Sequence, residues 1–142
     1  MANWNADRMT SGATQANHTG LNIGIATAIV DETGSGSLSI SLMPLPAGAR
    51  VIDVTYMQST ADGWGTGAES VSIYATIGGN TAATFMTSAT QANVVRPNRN
   101  GLGTRLTGSA NLVMQVHDLV KTGTASQNIQ VICQYMCQDD GD

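Results

Sequence analysis

The stretch LPAGARVIDVTYM, residues 45–57, decides the fold. Pro46 and Gly48 mark a turn, and the turn delivers a strand whose even positions, Ile52, Val54 and Tyr56, share one face. Successive side chains of a strand point to opposite faces, so apolar groups at every second position mark a sheet with one buried side. The spacing predicts a strand from about Arg50 to Thr60.

Upstream lies the clearest alternation in the chain. Leu38, Ile40 and Leu42 point one way and Ser37, Ser39 and Ser41 the other. A helix through these residues would scatter the apolar groups around its circumference, so this too is a strand. Met43-Pro44-Leu45-Pro46 lacks two backbone donors and is expected to leave the ladder. Leu21 to Val30 reads as a first strand, with Leu21, Ile23, Ile25 and Ile29 on one side and Gly24, Ala26 and Ala28 on the other. A small-residue side of that kind lies against something close. Asp31 to Gly36 is a turn.

Downstream, a Gly-rich loop at Asp62 to Gly67 precedes a strand at Ser70 to Ile77, in which Val71, Ile73, Ala75 and Ile77 alternate with Ser72, Tyr74 and Thr76. Gly78-Gly79-Asn80 closes it as a turn. Ala82 to Ser88, which holds Phe85, reads as a short strand, and Thr87 to Asn93 as a helical turn or a loop. Val94 to Arg96 and Thr104 to Thr107 read as short edge strands around an Asn/Gly/Pro loop. Leu112, Met114 and Val116 then alternate with Val113, Gln115 and His117. After a turn at Lys121 to Gln127, the last strand, Asn128 to Gln138, places Ile129, Val131, Cys133, Tyr135 and Cys137 on one face. Short strands separated by turn signals, with no run of helical period, predict an all-β protein. The expected architecture is a single antiparallel β-sandwich, jelly-roll-like, of about eight strands over residues 21–138. An extended N-terminal arm, residues 1–20, precedes it and an acidic tail, residues 139–142, follows. Trp4 and Met9 are the arm's large apolar residues. Either the arm lies on a neighbouring subunit with Trp4 as its anchor, or it folds back over its own domain.

At 142 residues one such domain buries roughly 70% of its unfolded surface, so neither a disulfide framework nor a structural metal is needed for stability. Charged residues make up only 11% of the chain, against a usual share of about 25%. The polar surface is built instead from Thr, Ser, Asn, Gln and Gly. Uncharged polar groups are cheaper to desolvate than ions, and interface cores are depleted of charge, so this skin suits a chain that lives within an assembly. The net charge of −4 argues against nucleic acid as a partner, since phosphate recognition needs clustered Lys and Arg. The only local basic pair, Arg96 and Arg99, flanks Pro97-Asn98 in a loop. No apolar run is long enough for a membrane span. Met1 to Gly20 has neither a basic n-region nor an apolar run, so no signal peptide is expected.

The residues offer little chemistry. Cys133 and Cys137, four strand positions apart, would hold their Cα atoms about 13 Å from each other, whereas a disulfide needs roughly 4.4–6.8 Å. They are expected as buried thiols. With His18 and His117 the only histidines, no metal site is expected. Gly63-Trp64-Gly65-Thr66-Gly67-Ala68 fits the dinucleotide fingerprint formally, but a period-two stretch follows where that motif needs a helix N-terminus, so no cofactor is expected. What survives is Trp64 on a Gly-rich tip, either a contact anchor or a lid over the end of the sandwich. His117-Asp118 has no nucleophile elbow near it, and nothing brings Asp53 and Glu69 together as a carboxylate pair. The expectation is a non-enzymatic protein whose candidate contact residues are Trp4, Met9, Trp64, Arg96 and Arg99.

The proline/glycine turn feeding a strand at Leu45 to Val54, the first strand at Gly20 to Val30, and the low-charge Thr/Asn/Gly composition together resemble the small β-sandwich virion proteins of tailed bacteriophages. That resemblance implies a structural role, foremost as a capsid decoration (cement) protein. Such a protein is made in the host cytoplasm, is incorporated in the virion, and binds major capsid protein subunits as a homo-oligomer, a trimer for preference. The resemblance transfers no individual functional residue. Another virion component, such as a tail, fibre or head–tail protein, is one alternative. A carbohydrate-binding module is the other, with Trp4, Trp64, Tyr56 and Tyr74 as its platform and an aromatic fraction of only 4% against it.

Overall fold

The computed structural model describes residues 2–5, 8–9, 21–30, 34–59, 70–90, 94–95, 101–121 and 127–137. Ten strands occur among them: β1 (Ala2–Asn5), β2 (Arg8–Met9), β3 (Leu21–Val30), β4 (Gly34–Leu45), β5 (Ala49–Gln58), β6 (Ser70–Ile77), β7 (Asn80–Thr90), β8 (Val94–Val95), β9 (Ala110–Lys121) and β10 (Gln127–Cys137). Seven are long and three are short. The described residues contain no helix. The first sheet has the order β1-β4-β9-β6-β7 and the second the order β2-β3-β10-β5-β8.

From β3 onward the pairing is nested. β3 pairs with β10, β4 with β9, β5 with β8, and β6 with β7, each antiparallel. A long hairpin rolled up on itself gives this order, which is that of an eight-stranded jelly roll. The two remaining strands extend the sheet edges. β1 runs parallel to β4, with Ala2 opposite Leu38 and Asn5 opposite Ser41, and β2 runs antiparallel to β3, with Arg8 opposite Thr27 and Met9 opposite Ala26. The expected sandwich is present, and the backbone of the arm reaches both of its sheets.

Side chains from both inner faces fill the core. Leu38 and Ile40 of β4, Tyr56 of β5, Ile73 of β6, Phe85 and Met86 of β7, Met114 of β9 and Tyr135 of β10 are buried almost completely. The β6–β7 hairpin turns on Gly78 and Gly79, both with positive φ. That is the geometry whose twist matches the flanking strands and which side chains resist.

Four expectations need correction. In β5 the inward phase is Val51, Val54 and Tyr56, while Ile52 is 41% exposed. Gln134 opposes Asp53 but Tyr135 opposes Val51, so Ile52 is the extra residue of a β-bulge that reverses the alternation. β4 does not end at Met43. A second register shift lets Leu42 and Met43 both turn inward, and pairing with β9 continues through Pro44 to Leu45. β1 has ended opposite Ser41, so Pro44 lies where β4 is an edge, the position in a sheet where a missing donor is tolerated. Third, β7 is one strand through Thr90, with no helical turn at 87–90. Finally, Thr104 to Thr107 is not a strand. It contributes a single bridge between Arg105 and Arg50. Beside it, the Gly103 N–H donates to Val51 O at 2.8 Å and the Leu106 N–H to Ala49 O at 2.8 Å. Residues 103–106 thus cover the part of the β5 edge that β8 leaves open.

Candidate interaction surface

The two outer faces of the sandwich differ in kind. On the first sheet the outward side chains include polar groups bonded to one another. Asn111 Nδ2 donates to Ser41 Oγ at 3.1 Å, Ser72 Oγ lies 2.9 Å from His117 Nε2, and Tyr74 Oη donates to Gln115 Oε1 at 3.4 Å. A face whose polar atoms already satisfy each other gains little from a partner.

The second sheet is the opposite. Five large hydrophobic side chains are exposed among the described residues, namely Leu21 at 54%, Ile23 at 45%, Ile29 at 57%, Ile52 at 41% and Met136 at 48%. All five lie on β3, β10 and β5, the neighbouring long strands of this sheet. The register sets Leu21 beside Met136, and Met136 beside Arg50. Ile23, Ile25 and Ile29 follow along β3 at odd positions, interrupted by Thr27, and so share one face.

The reason for this outward row is found on the inner side of β3. There Gly24, Ala26 and Ala28 are buried, beside Cys133, Val131 and Ile129 of β10. With this small row turned inward, the large row of β3 faces out. Charge on this outer face is sparse. Arg50 is exposed and its guanidinium donates to Gly103 O at 3.0 Å, and Asp53 is half-buried.

The face continues into a groove of about 630 Å³ at the far ends of β3, β10 and β5, lined by Ile29, Met57, Ser59, Asn128 and Gln130 among others. Its polar rim is tied down. The Ser59 N–H donates to Asn128 O at 2.9 Å, the Asn128 N–H to Ser59 Oγ at 3.1 Å, and Ser59 Oγ donates to Gln127 Oε1 at 2.9 Å. The opening is therefore shaped by fixed backbone and walled largely by aliphatic groups.

Among the described residues there is no group of three or more His, Cys, Asp or Glu side chains placed to hold an ion. Cys133 and Cys137 are both free and buried. Burial, with a smaller contribution from the Asp53 charge, pushes the Cys133 thiol up from 9.0 to about 12. A thiol in that state is a packing group rather than a nucleophile.

Of the contact residues expected from sequence, Trp4 lies on β1 opposite Ile40 and Met9 on β2 opposite Ala26. Trp64, Arg96 and Arg99 lie outside the described residues. The residues that sequence reasoning passed over are Leu21, Ile23, Ile29, Ile52 and Met136. For β3 a signal existed, because a strand that is apolar on both faces has two faces to cover.

No protein-family model matches the chain, and no curated protein is similar to it. Its fold is similar to that of solved chains. One belongs to the capsid asymmetric unit of cyanophage Pam1, with a TM-score of 0.64 and 16% identity over 87% of this chain and 89% of that one. Another belongs to the capsid of Ralstonia phage GP4, with a TM-score of 0.60 and 16% identity over 85% of this chain and 86% of that one. At such identity the likeness is one of fold.

Proposed function

We propose that this chain is a non-enzymatic structural protein of a phage virion, and within that class a capsid decoration (cement) protein that binds the head shell as a homo-oligomer, a trimer. The observation that carries the reading is the outer face of the second sheet, an apolar row beside an aliphatic groove, nearly free of charge. Each of its five exposed side chains leaves roughly half of a possible 1.5–3 kcal/mol of burial energy uncollected. A contiguous exposed apolar patch is characteristic of an interaction site, and neutral polar groups around it are inexpensive to dehydrate. The fold shared with chains of two phage capsids, over almost their whole length, supports the same reading.

A shell presents many identical sites in fixed array. An oligomer that engages several of them at once turns modest single contacts into durable attachment, because each contact after the first is intramolecular. The test uses shells purified without this protein. Added protein is expected to co-sediment with them to saturation and to raise the temperature at which they release their contents. Protein that remains in the supernatant at every concentration refutes the reading. Binding to a glycan array in place of shells would favour a carbohydrate module.

A further inference from the structure

We infer that the N-terminal strands are exchanged between copies of this chain, β1 and β2 of one copy clasping the β3/β4 side of another. The argument is one of lengths. Between Asn5, paired with Ser41 of one sheet, and Arg8, paired with Thr27 of the other, there are three Cα–Cα steps. Extended, they reach about 10 Å, which is the usual distance between two packed sheets. The β1–β2 pair thus clasps the edge of one sandwich with little chain length to spare between its strands.

Its tether is the reverse. Met9 sits opposite Ala26, five residues along β3 from Leu21, or about 17 Å. The twelve steps from Met9 to Leu21 reach about 40 Å, more than twice that separation. The connecting sequence TSGATQANHTG, residues 10–20, is polar, has Gly at two positions and contains no proline. A pair of strands that fits one sandwich closely, and whose chain length to β3 exceeds what its own sandwich requires, makes the same backbone hydrogen bonds on either copy. Exchange of an identical element is a low-cost route to closed oligomers, and it covers the outer edges of β4 and β3 that would otherwise recruit unwanted strands. The inference is independent of what the apolar outer face binds.

The test places Asn3→Cys and Ser39→Cys, register partners of β1 and β4, in one full-length chain. Tagged and untagged copies are co-expressed, oxidised and run without reductant. The native thiols are buried and leave the new link readable. Exchange is expected to give a covalent tagged–untagged species. Only monomer-sized linked chains, or no link at all, overturns the inference. In parallel, deletion of residues 2–9 is expected to reduce the sedimenting species to a folded monomer. An unchanged oligomer after that deletion, or an intact chain that is monomeric at every concentration, also overturns it.

Discussion

Replacing Ile23 and Ile29 together by threonine tests whether the outer face of β3 is a contact. The two side chains are 45% and 57% exposed. Full burial of an isoleucine is worth roughly 1.5–3 kcal/mol, so about half of that, near 0.8–1.5 kcal/mol, is available to a partner at each position. Threonine keeps the branch at Cβ that suits a strand. It deletes the terminal methyl and turns the neighbouring carbon into a hydroxyl. The double variant is therefore expected to lose about 1.5–3 kcal/mol per copy, or roughly 10- to 200-fold in single-site Kd. An oligomer multiplies the loss. The free domain should be nearly indifferent, its Tm falling by no more than a few degrees. The assay is co-sedimentation of a concentration series with shells lacking the protein, alongside thermal unfolding of the free protein. Unchanged affinity would refute the contact. A collapse of Tm would refute the premise that these side chains face away from the core.

Three further outcomes follow from the interior. Cys133 has its thiol raised from 9.0 to about 12 by burial, so above pH 9 the unfolded chain loses a proton that the folded chain keeps. Stability should be at its full value below pH 9 and fall by up to about 1.4 kcal/mol per pH unit toward pH 12. Denaturant titrations at pH 8 and 10.5 on the native chain and Cys133→Ala should show a smaller alkaline loss in the variant, and equal losses would remove Cys133 as the cause. Tyr56 Oη donates to Gln58 Oε1 at 2.6 Å, and both residues are buried; Tyr56→Phe should cost about 1–2 kcal/mol in urea unfolding, where a neutral result would show the bond carries no net stability. Gly101 has φ +78° and a Cβ there would overlap the carbonyl oxygen of Thr84, so Gly101→Ala should destabilise by more than about 1 kcal/mol, readable as a lower Tm.

How much of this was legible in the chain differs from strand to strand. β4 was readable because serine and leucine cannot exchange faces without burying hydroxyls or exposing leucine, and β10 because its inner row is apolar for five alternating positions. β3 was readable as a strand, yet its orientation was not, since both rows are apolar and alternation alone does not say which one faces inside. The bulge at Ile52 had no local signature. It follows from register against β10, a partner some eighty residues away. β7 was obscured because its run of Ala and Thr is weakly amphipathic and draws its strand character from pairing with β6. Of the candidate surface, the apolar richness of β3 was visible, whereas the contribution of Met136 and Ile52 exists only once β3, β10 and β5 are side by side.

The nested order also bears on how the chain reaches its native state. β10, last of the described strands to be synthesised, is the centre of its sheet, between β3 and β5, and β9 holds the same place in the other. Neither layer can close until β9 and β10 have left the ribosome, and such distant pairings form in milliseconds to seconds rather than microseconds. During that interval β3 and β5 have unfilled edges. A nonsense mutation at position 127 would therefore not trim a margin but take out the middle of a layer, and its product should accumulate in inclusion bodies.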